Sequence, residues 1–361
     1  MNKYFVLSSV VLSGMLMAAC VDDGGNGGGA EGTNNNENNS ADEAAGGDNE
    51  DNAAEEVDLE VEEASGEAPA DFSFGSATVG GLWYTLSGAM GEGINDMYPD
   101  SSVTVVEGGS ISNLQGLGEG IYSIGFSNGQ NVPEAVDGEA EFDEPIENLG
   151  TLATMYPNAM HIMVPEDSDI ETVEDLAGKR VSPGIRGYSG EIAFEEILDI
   201  VDMDVDDLEH IEYTGTAEAA DLMRDGHLDA FVGMLAAPVG TVQELDTTMG
   251  IRLIPLEDEL VTEMHSRNPG YIEHTIEADI YDGVDEDINT VAGYTVLLAN
   301  TELIDEDVAY ELTKMVVENA DQWEMLSASM AEFDAEYSVE NNVGPLHPGA
   351  ERYYEEVGAL D

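Results

Sequence analysis

From Asp71 onward the apolar positions follow two rhythms. Short apolar or β-branched runs predict strands at 71–76, 102–107, 121–127, 149–156, 159–164, 179–183, 209–213, 228–233, 251–255 and 290–299. Helical spacing predicts helices at 82–98, 110–119, 171–177, 188–203, 216–225, 239–248, 305–319, 321–335 and 348–358. In the segment 305–319, Val308, Leu312, Met315 and Val316 share one face, while Glu306, Asp307 and Glu311 lie off it. Strands alternating with helices predict an α/β fold with a mainly parallel sheet in each of two domains. Ligands of such sheets sit beyond the carboxyl ends of the strands. The chain is expected to cross between domains at Pro165 and at Asp282-Gly283-Val284-Asp285. That division gives a first lobe of 72–164 plus 290–361 and an inserted second lobe of 165–289.

The segment ahead of these elements has a different pattern. Lys3 is followed by a weakly polar and apolar run from Tyr4 to Ala19, short for a membrane span and of the length of a secretory signal's apolar region. The run ends at Met17-Ala18-Ala19-Cys20, which resembles a bacterial lipobox with Met17 in place of the usual Leu, Val or Ile. Residues 1–20 therefore read as a lipoprotein signal, with Cys20 as the lipidated residue. Cys20 is the only cysteine in the sequence, so no disulfide forms within it. Residues 21–71 are mostly Gly, Asn, Ala, Asp and Glu, and bury too little to offset chain entropy. They are expected to form a solvated, charge-stretched tether. The expected location is extracytoplasmic, anchored by lipid to the outer face of the cytoplasmic membrane.

Charge narrows the partners. The 361 residues carry 78 Asp and Glu against 9 Lys and Arg, a formal net charge of -69. This leaves no basic surface for a phosphate backbone and excludes nucleic-acid binding. With 42% apolar residues the chain still has material for packed cores. Like charges at this density repel in dilute buffer, and screening at about 1 M salt, where the Debye length is about 3 Å, removes most of that penalty. Together with only three lysines, Lys3, Lys179 and Lys314, this reads as a halophile's protein.

Catalytic and metal signatures are missing. The sequence has no Gly-x-Ser-x-Gly elbow, His-Glu-x-x-His pair, Walker-type loop or Cys-x-x-Cys. Its six histidines are scattered without metal-ligand spacing, and no cofactor or metal is implied. What remains is a set of loops at strand ends, rich in Gly and hydroxyl residues, most of which lead into helices. One holds Thr78, Gly80 and Gly81 ahead of Trp83 and Tyr84. The second holds Gly109, Ser110 and Asn113, the third Ser127 and Asn128, and the fourth Arg186, Gly187, Tyr188 and Ser189. Glycines admit a ligand to the backbone, and helix-start N–H groups and hydroxyls receive carboxylate oxygens. These residues are the candidate ligand-binding set. Arg186 is the candidate two-point clamp for a carboxylate, or else a surface residue pairing with nearby acids.

Several runs together resemble a family. Gly80-Gly81-Leu82-Trp83-Tyr84, Glu107-Gly108-Gly109-Ser110 with Asn113-Leu114, Asp175-Leu176-Ala177-Gly178-Lys179-Arg180-Val181-Ser182, Ala219 through Phe231 and Leu346-His347-Pro348-Gly349-Ala350 look like the TAXI class of solute-binding proteins from tripartite ATP-independent periplasmic (TRAP) transporters. The resemblance runs from about 72 to 360. It implies a two-lobe, type II periplasmic-binding-protein-like fold that closes on a small organic anion, such as glutamate or a related carboxylate. It also implies delivery to a sodium-coupled TRAP permease, with no reaction catalysed by this chain. The family often carries a Gly-Ser-Gly-Thr-like run where this chain has Gly187-Tyr188-Ser189-Gly190, and Thr-Tyr where it has Leu82-Trp83. The expected cleft is therefore bulkier and more apolar, which puts glutamate itself in doubt. Alternatives are a sensory receptor that presents its ligand to a kinase and, from another class, a hydrolase or transferase on a similar scaffold.

Overall fold

The computed structural model describes residues 57, 59–64, 68–79 and 81–360; the expected signal segment with Cys20, most of the expected tether, and Gly80 lie outside them. The strands are β1 (Asp71–Gly75), β2 (Ser102–Val106), β3 (Ile124–Asn128), β4 (Leu149–Pro165), β5 (Arg180–Ser182), β6 (His210–Ile211), β7 (Ala230–Leu235), β8 (Ile251–Leu253), β9 (Ile272–Ile276) and β10 (Ile288–Asn300). The helices are α1 (Leu82–Met97), α2 (Ser110–Gly118), α3 (Asn131–Asp137), α4 (Ser189–Ile200), α5 (Thr216–Arg224), α6 (Gly240–Met249), α7 (Asp258–Arg267), α8 (Glu306–Glu318), α9 (Ala320–Leu326), α10 (Ala335–Glu340) and α11 (Pro348–Val357).

The fold is α/β, with helices flanking a mixed sheet ordered β2-β1-β3-β10-β4-β7-β5-β6; β8 adds to β4 and β9 to β10. The expectation of mainly parallel sheets holds only at the two ends of that order. There β1 pairs in parallel with β2 and β3, and β5 with β6 and β7. The centre is antiparallel, because β10 returns against both β3 and β4, and β4 runs against β7. A chain that leaves one lobe along β4 and comes back along β10 must run these two strands in opposite directions.

Those two long strands also move the crossings. Residues 295–299 of β10 pair with β3, whereas 288–292 pair with β9. Pro157 and Asn158 face Tyr294 and Gly293 at the change-over. The hydrophobic cores divide at the same place. Two clusters, one around Phe74 and Leu312 and one around Leu114 and Val132, draw their buried members from residues before 157 and after 293, apart from Ala236. Two others, around Phe194 and around Phe231, draw theirs from 159 to 292. The crossings thus lie inside β4 and β10, and not at Pro165 and Asp282–Asp285. A continuous strand keeps its backbone N–H and C=O groups paired through the crossing, which a loop buried there would not. A third, non-covalent contact joins the lobes beside Gly293. Asn268 Nδ2 donates to Gln130 O at 2.9 Å and to Glu134 Oε1 at 2.8 Å. A side chain at Gly293 would meet the Gln130 amide, so glycine is needed at this approach.

Local chemistry accounts for the elements. In α1, Trp83, Leu86, Met90, Ile94 and Met97 recur at helical spacing and are all buried. The face expected of α8 is the buried one, and Asp305 Oδ1 caps its start by accepting from Val308 N–H at 2.9 Å. The tether is shorter than expected. Val57, Leu59 and Val61, spaced by two, pack against the first-lobe core, and Glu60 N–H donates to Asn319 Oδ1 at 2.7 Å. This period-two apolar face separates the docked segment from the Gly- and Asn-rich residues before it. Sequence reading missed β9, whose Ile272-Glu273-His274-Thr275-Ile276 alternation is brief, and it missed the acid-rich α7 and the short α3 and α10.

Candidate functional site

A cavity of about 270 Å³ lies between the lobes, at the carboxyl ends of the parallel strands. The first lobe supplies Ala77, Thr78, Gly81, Leu82 and Trp83 from the loop after β1, Gly109 and Ser110 from the loop after β2, and Asn128 from the end of β3. The crossing strand β4 supplies Tyr156 and Asn158. The second lobe closes it with three strand-to-helix loops: Pro183 to Gly190 after β5, Thr214 to Thr216 after β6, and Leu235 to Thr241 after β7.

Five helices, α1, α2, α4, α5 and α6, begin at this wall. Their cap residues are Gly81, Gly109, Tyr188, Gly215 and Val239, and none supplies a side-chain cap to the first turn. Their free N–H groups and the positive ends of their dipoles point to one space, an arrangement suited to an anion. The acids nearest these starts are engaged elsewhere: Glu191 accepts from Gly187 N–H, Glu218 from the Thr214 hydroxyl, and Glu107 from Val79 N–H. Among the described residues that line the cavity, none carries an ionisable acid or base; tyrosine phenols are the only titratable groups. Burial pushes the Tyr156 phenol upward and keeps it neutral, and burial, then the nearby Glu107 charge, pushes Tyr188 the same way.

A neutral hydrogen-bond network spans the floor. Asn128 Nδ2 donates to Ser110 Oγ at 3.0 Å and, across the lobes, to Ser189 Oγ at 2.5 Å. Asn158 Nδ2 donates to Asn128 Oδ1 at 2.8 Å and to Thr295 Oγ1 at 2.7 Å, and Trp83 Nε1 donates to the same Thr295 oxygen at 3.0 Å. The Tyr188 hydroxyl reaches the other lobe and donates to Gly108 O at 2.5 Å. Its ring lies on Gly109, where a Cβ would come within 2.6 Å of it. These contacts hold the two lobes closed on each other. Behind α6, Tyr281 OH accepts from Val239 N–H at 3.1 Å and donates to His161 Nε2 at 3.1 Å, while His161 Nδ1–H donates to Ala159 O at 2.9 Å. That pattern requires neutral His161, and burial lowers its pKa to about 4.

Of the residues expected from the sequence, Thr78, Gly81, Trp83, Gly109, Ser110, Asn128, Tyr188 and Ser189 meet at the cavity. Gly80 and the expected lipidation residue Cys20 lie outside the described residues. Five others stand elsewhere. Tyr84 follows Trp83 by one position, about 100° round the helix, and so turns off the wall. Asn113 is buried behind the wall, where its Nδ2 donates to Ser76 O at 2.8 Å and Phe126 O at 2.9 Å and ties two loops together. Ser127 donates to Ser110 O at 3.3 Å and so supports a wall residue. Gly187 is exposed and donates to Glu191. Arg186 is also exposed, with its guanidinium 3.9 Å above the Tyr213 ring. Positive φ at Gly184 and Gly187 turns this loop outward and carries Arg186 away from the cavity, so it is not placed to clamp a ligand there.

Tyr156, Asn158, Thr214 to Thr216 and the loop to Thr241 were missed. Thr214-Gly215-Thr216 carries the same Gly and hydroxyl signal as the loops that were chosen. Asn158 was signalled only by the Pro157-Asn158 break in a long apolar run.

Comparison with solved structures finds similar chains at low identity. The alkanesulfonate-binding protein SsuA from Xanthomonas axonopodis pv. citri bound to MOPS is 17% identical, with 82% of each chain covered and a TM-score of 0.42. The periplasmic aliphatic sulphonate binding protein SsuA from Escherichia coli is 18% identical, with 80% of this chain and 79% of that one covered and a TM-score of 0.44. An ancestral arginine-binding protein bound to arginine is 12% identical, with 73% of this chain and 99% of that one covered and a TM-score of 0.44. The sequence profile of one family, described as NMT1-like, matches residues 74–358, and the chain belongs to the NMT1-like family.

Proposed function

We propose that this chain is an extracytoplasmic solute receptor, anchored through lipidated Cys20, that closes its two lobes on a small organic anion and delivers it to a sodium-coupled TRAP permease. The observation that carries the reading is the closed interlobe cavity on which five helices begin without side-chain caps. Free N–H groups bind a carboxylate without needing a basic side chain. Closure is a rotation about β4 and β10 that makes and breaks the bonds of Ser189 and Tyr188 to the first lobe. The TRAP assignment and the lipid anchor rest on the sequence resemblances.

A thermal-shift screen of small carboxylates in strong salt tests capture. A ligand at 100 times its dissociation constant adds about 2.7 kcal/mol of stability, and no shift from any small anion overturns the reading. Sodium-driven uptake in vesicles that hold a TRAP permease, with and without this chain, tests delivery. The acid excess extends the same proposal to a salt-requiring protein. Its melting temperature is expected to climb steeply with KCl toward about 1 M, and equal stability at low and high salt would count against that.

A further inference from the structure

The wall of the cavity selects among anions. An α-amino acid brings an ammonium as well as a carboxylate, and a buried ammonium needs an anionic partner or several well-placed acceptors. The lining offers helix-start N–H groups, amides, hydroxyls and rings, and the nearby carboxylates Glu107, Glu191 and Glu218 are engaged outside it. Most acceptors of the floor are in use as well: Asn128 Oδ1 is taken by Asn158, and Thr295 Oγ1 by both Trp83 and Asn158, which leaves Asn158 Oδ1, one amide oxygen, and that is too few acceptors for an ammonium. Moreover, five positive helix ends repel a second positive charge placed among them. The remainder of the wall is apolar, with the rings of Trp83, Tyr156, Tyr188 and Phe231 beside aliphatic side chains such as Leu82, Ile185, Met234 and Val239. Its 270 Å³ is the volume of roughly nine waters in the liquid, at about 30 Å³ each.

Resting on the solute-capture reading above, we infer that the ligand is a monoanion without an ammonium group, a compact carboxylic acid with a planar, unsaturated body, and that amino acids of the same skeleton are rejected. The carboxylate lies among the helix starts and the planar body lies against the rings. An aromatic face in this position also disfavours a second carboxylate, since the ring face is itself negative.

The experiment compares matched pairs by calorimetry on the full chain in strong salt: phenylpyruvate with phenylalanine, and 2-oxoglutarate with glutamate. Phenylpyruvate is expected to bind most tightly, and phenylalanine at least about 100-fold more weakly. Phenylalanine or glutamate binding within about threefold of its keto partner, or more tightly, overturns the inference and leaves solute capture standing. No binding by any of the four, with no response in the wider anion screen, overturns both. Thr241→Asp locates the ligand. It puts a carboxylate at the cavity end of α6, in a first turn where an acid favours the helix, so the fold is retained. Phenylpyruvate affinity should fall at least about tenfold and the gap to phenylalanine should narrow. Unchanged affinity in a variant that melts like the parent would place the ligand outside this cavity and overturn the inference.

Discussion

Helices that start at the cavity differ from the capped helices elsewhere in the fold. Away from the cavity, α8, α10 and α11 open on Asp305, Asp334 and His347, whose side chains accept N–H bonds from Val308, Tyr337 and Gly349 at 2.9, 2.8 and 3.2 Å, while α3, α7 and α9 open without a side-chain cap. At the cavity, five helices open on residues that give no such bond, three of them glycines. A side-chain cap is worth about 1 kcal/mol, and a chain with 78 acids has no shortage of capping residues. All five cavity helices are bare, against three of the six others described, so the cavity end keeps every first turn's donors free for a ligand, at the expense of helix stability.

The comparison extends to charge. The Asp305 and Asp334 caps and surface ion pairs such as Arg180–Asp229 at 2.6 Å use full charges, and an exposed pair contributes little. The cavity supports are neutral amides, hydroxyls and one buried imidazole, which gain strength from their low-dielectric surroundings.

The largest expected effect is on that imidazole. His161 is fully buried and its folded pKa lies near 4, below the ordinary value of 6.5. Below pH 6.5 the unfolded chain takes up this proton and the folded chain does not. The neutral histidine thus stabilises the fold above pH 6.5, and that contribution of about 3 kcal/mol is lost as pH falls toward 4. The difference in denaturant stability between His161→Gln and the parent should shrink over this window, because the variant lacks the titrating group. A constant difference from pH 7 to pH 4 would show that His161 does not titrate in this way. Subtracting the two proteins also removes the contribution of the surface acids, whose protonation relieves repulsion and runs in the opposite direction.

Next in size is Asn128→Ala. It strips the donor to Ser110 and Ser189 and the acceptor for Asn158. An anionic ligand should bind about 2 kcal/mol more weakly, since closure then leaves buried partners unpaired. Affinity equal to the parent would remove the network from the closing mechanism. Asp305→Ala is the matching test on the outside. It should reduce stability by about 1 kcal/mol and leave ligand affinity unchanged, and a loss of affinity there would blur the distinction between the two kinds of helix start.

The strand and helix rhythm made the α/β class and most elements legible in the sequence, and the Gly and hydroxyl loops made much of the first-lobe wall legible. Less legible was whatever depends on distant strands meeting. Asn158 interrupts an apolar run that reads as two strands, and only the pairing of β4 with β10 shows that the interruption is a crossing and a floor. The mixed sheet was hidden for the same reason, since strand direction depends on where the chain returns. Thr214-Gly215-Thr216, by contrast, lies between the expected strand at 209–213 and the expected helix at 216–225 and carries the same Gly and hydroxyl signal as the other wall loops, so this part of the wall was legible and passed over.

The smallest expected effect concerns Arg186, the residue that most invited a functional reading. A guanidinium in a Gly-rich loop at a strand-to-helix junction has the right address for a carboxylate clamp. Its backbone decides otherwise. With Gly184 at φ 91° and Gly187 at φ 78°, the loop turns so that Tyr188 points to the cavity and Arg186 to solvent, where it stacks on Tyr213. An exposed cation–π contact is worth about 0.5–1 kcal/mol and belongs to the loop, not to the ligand. Arg186→Ala should therefore leave the affinity for an anion within about twofold, well under 1 kcal/mol, in strong salt where long-range attraction is screened. A loss of about 2 kcal/mol or more under those conditions would mean that the loop reorders when ligand enters and brings the guanidinium inward. The anion would then be held by a full charge, and the contrast between a charged exterior and a neutral cavity would fail at the place that defines it.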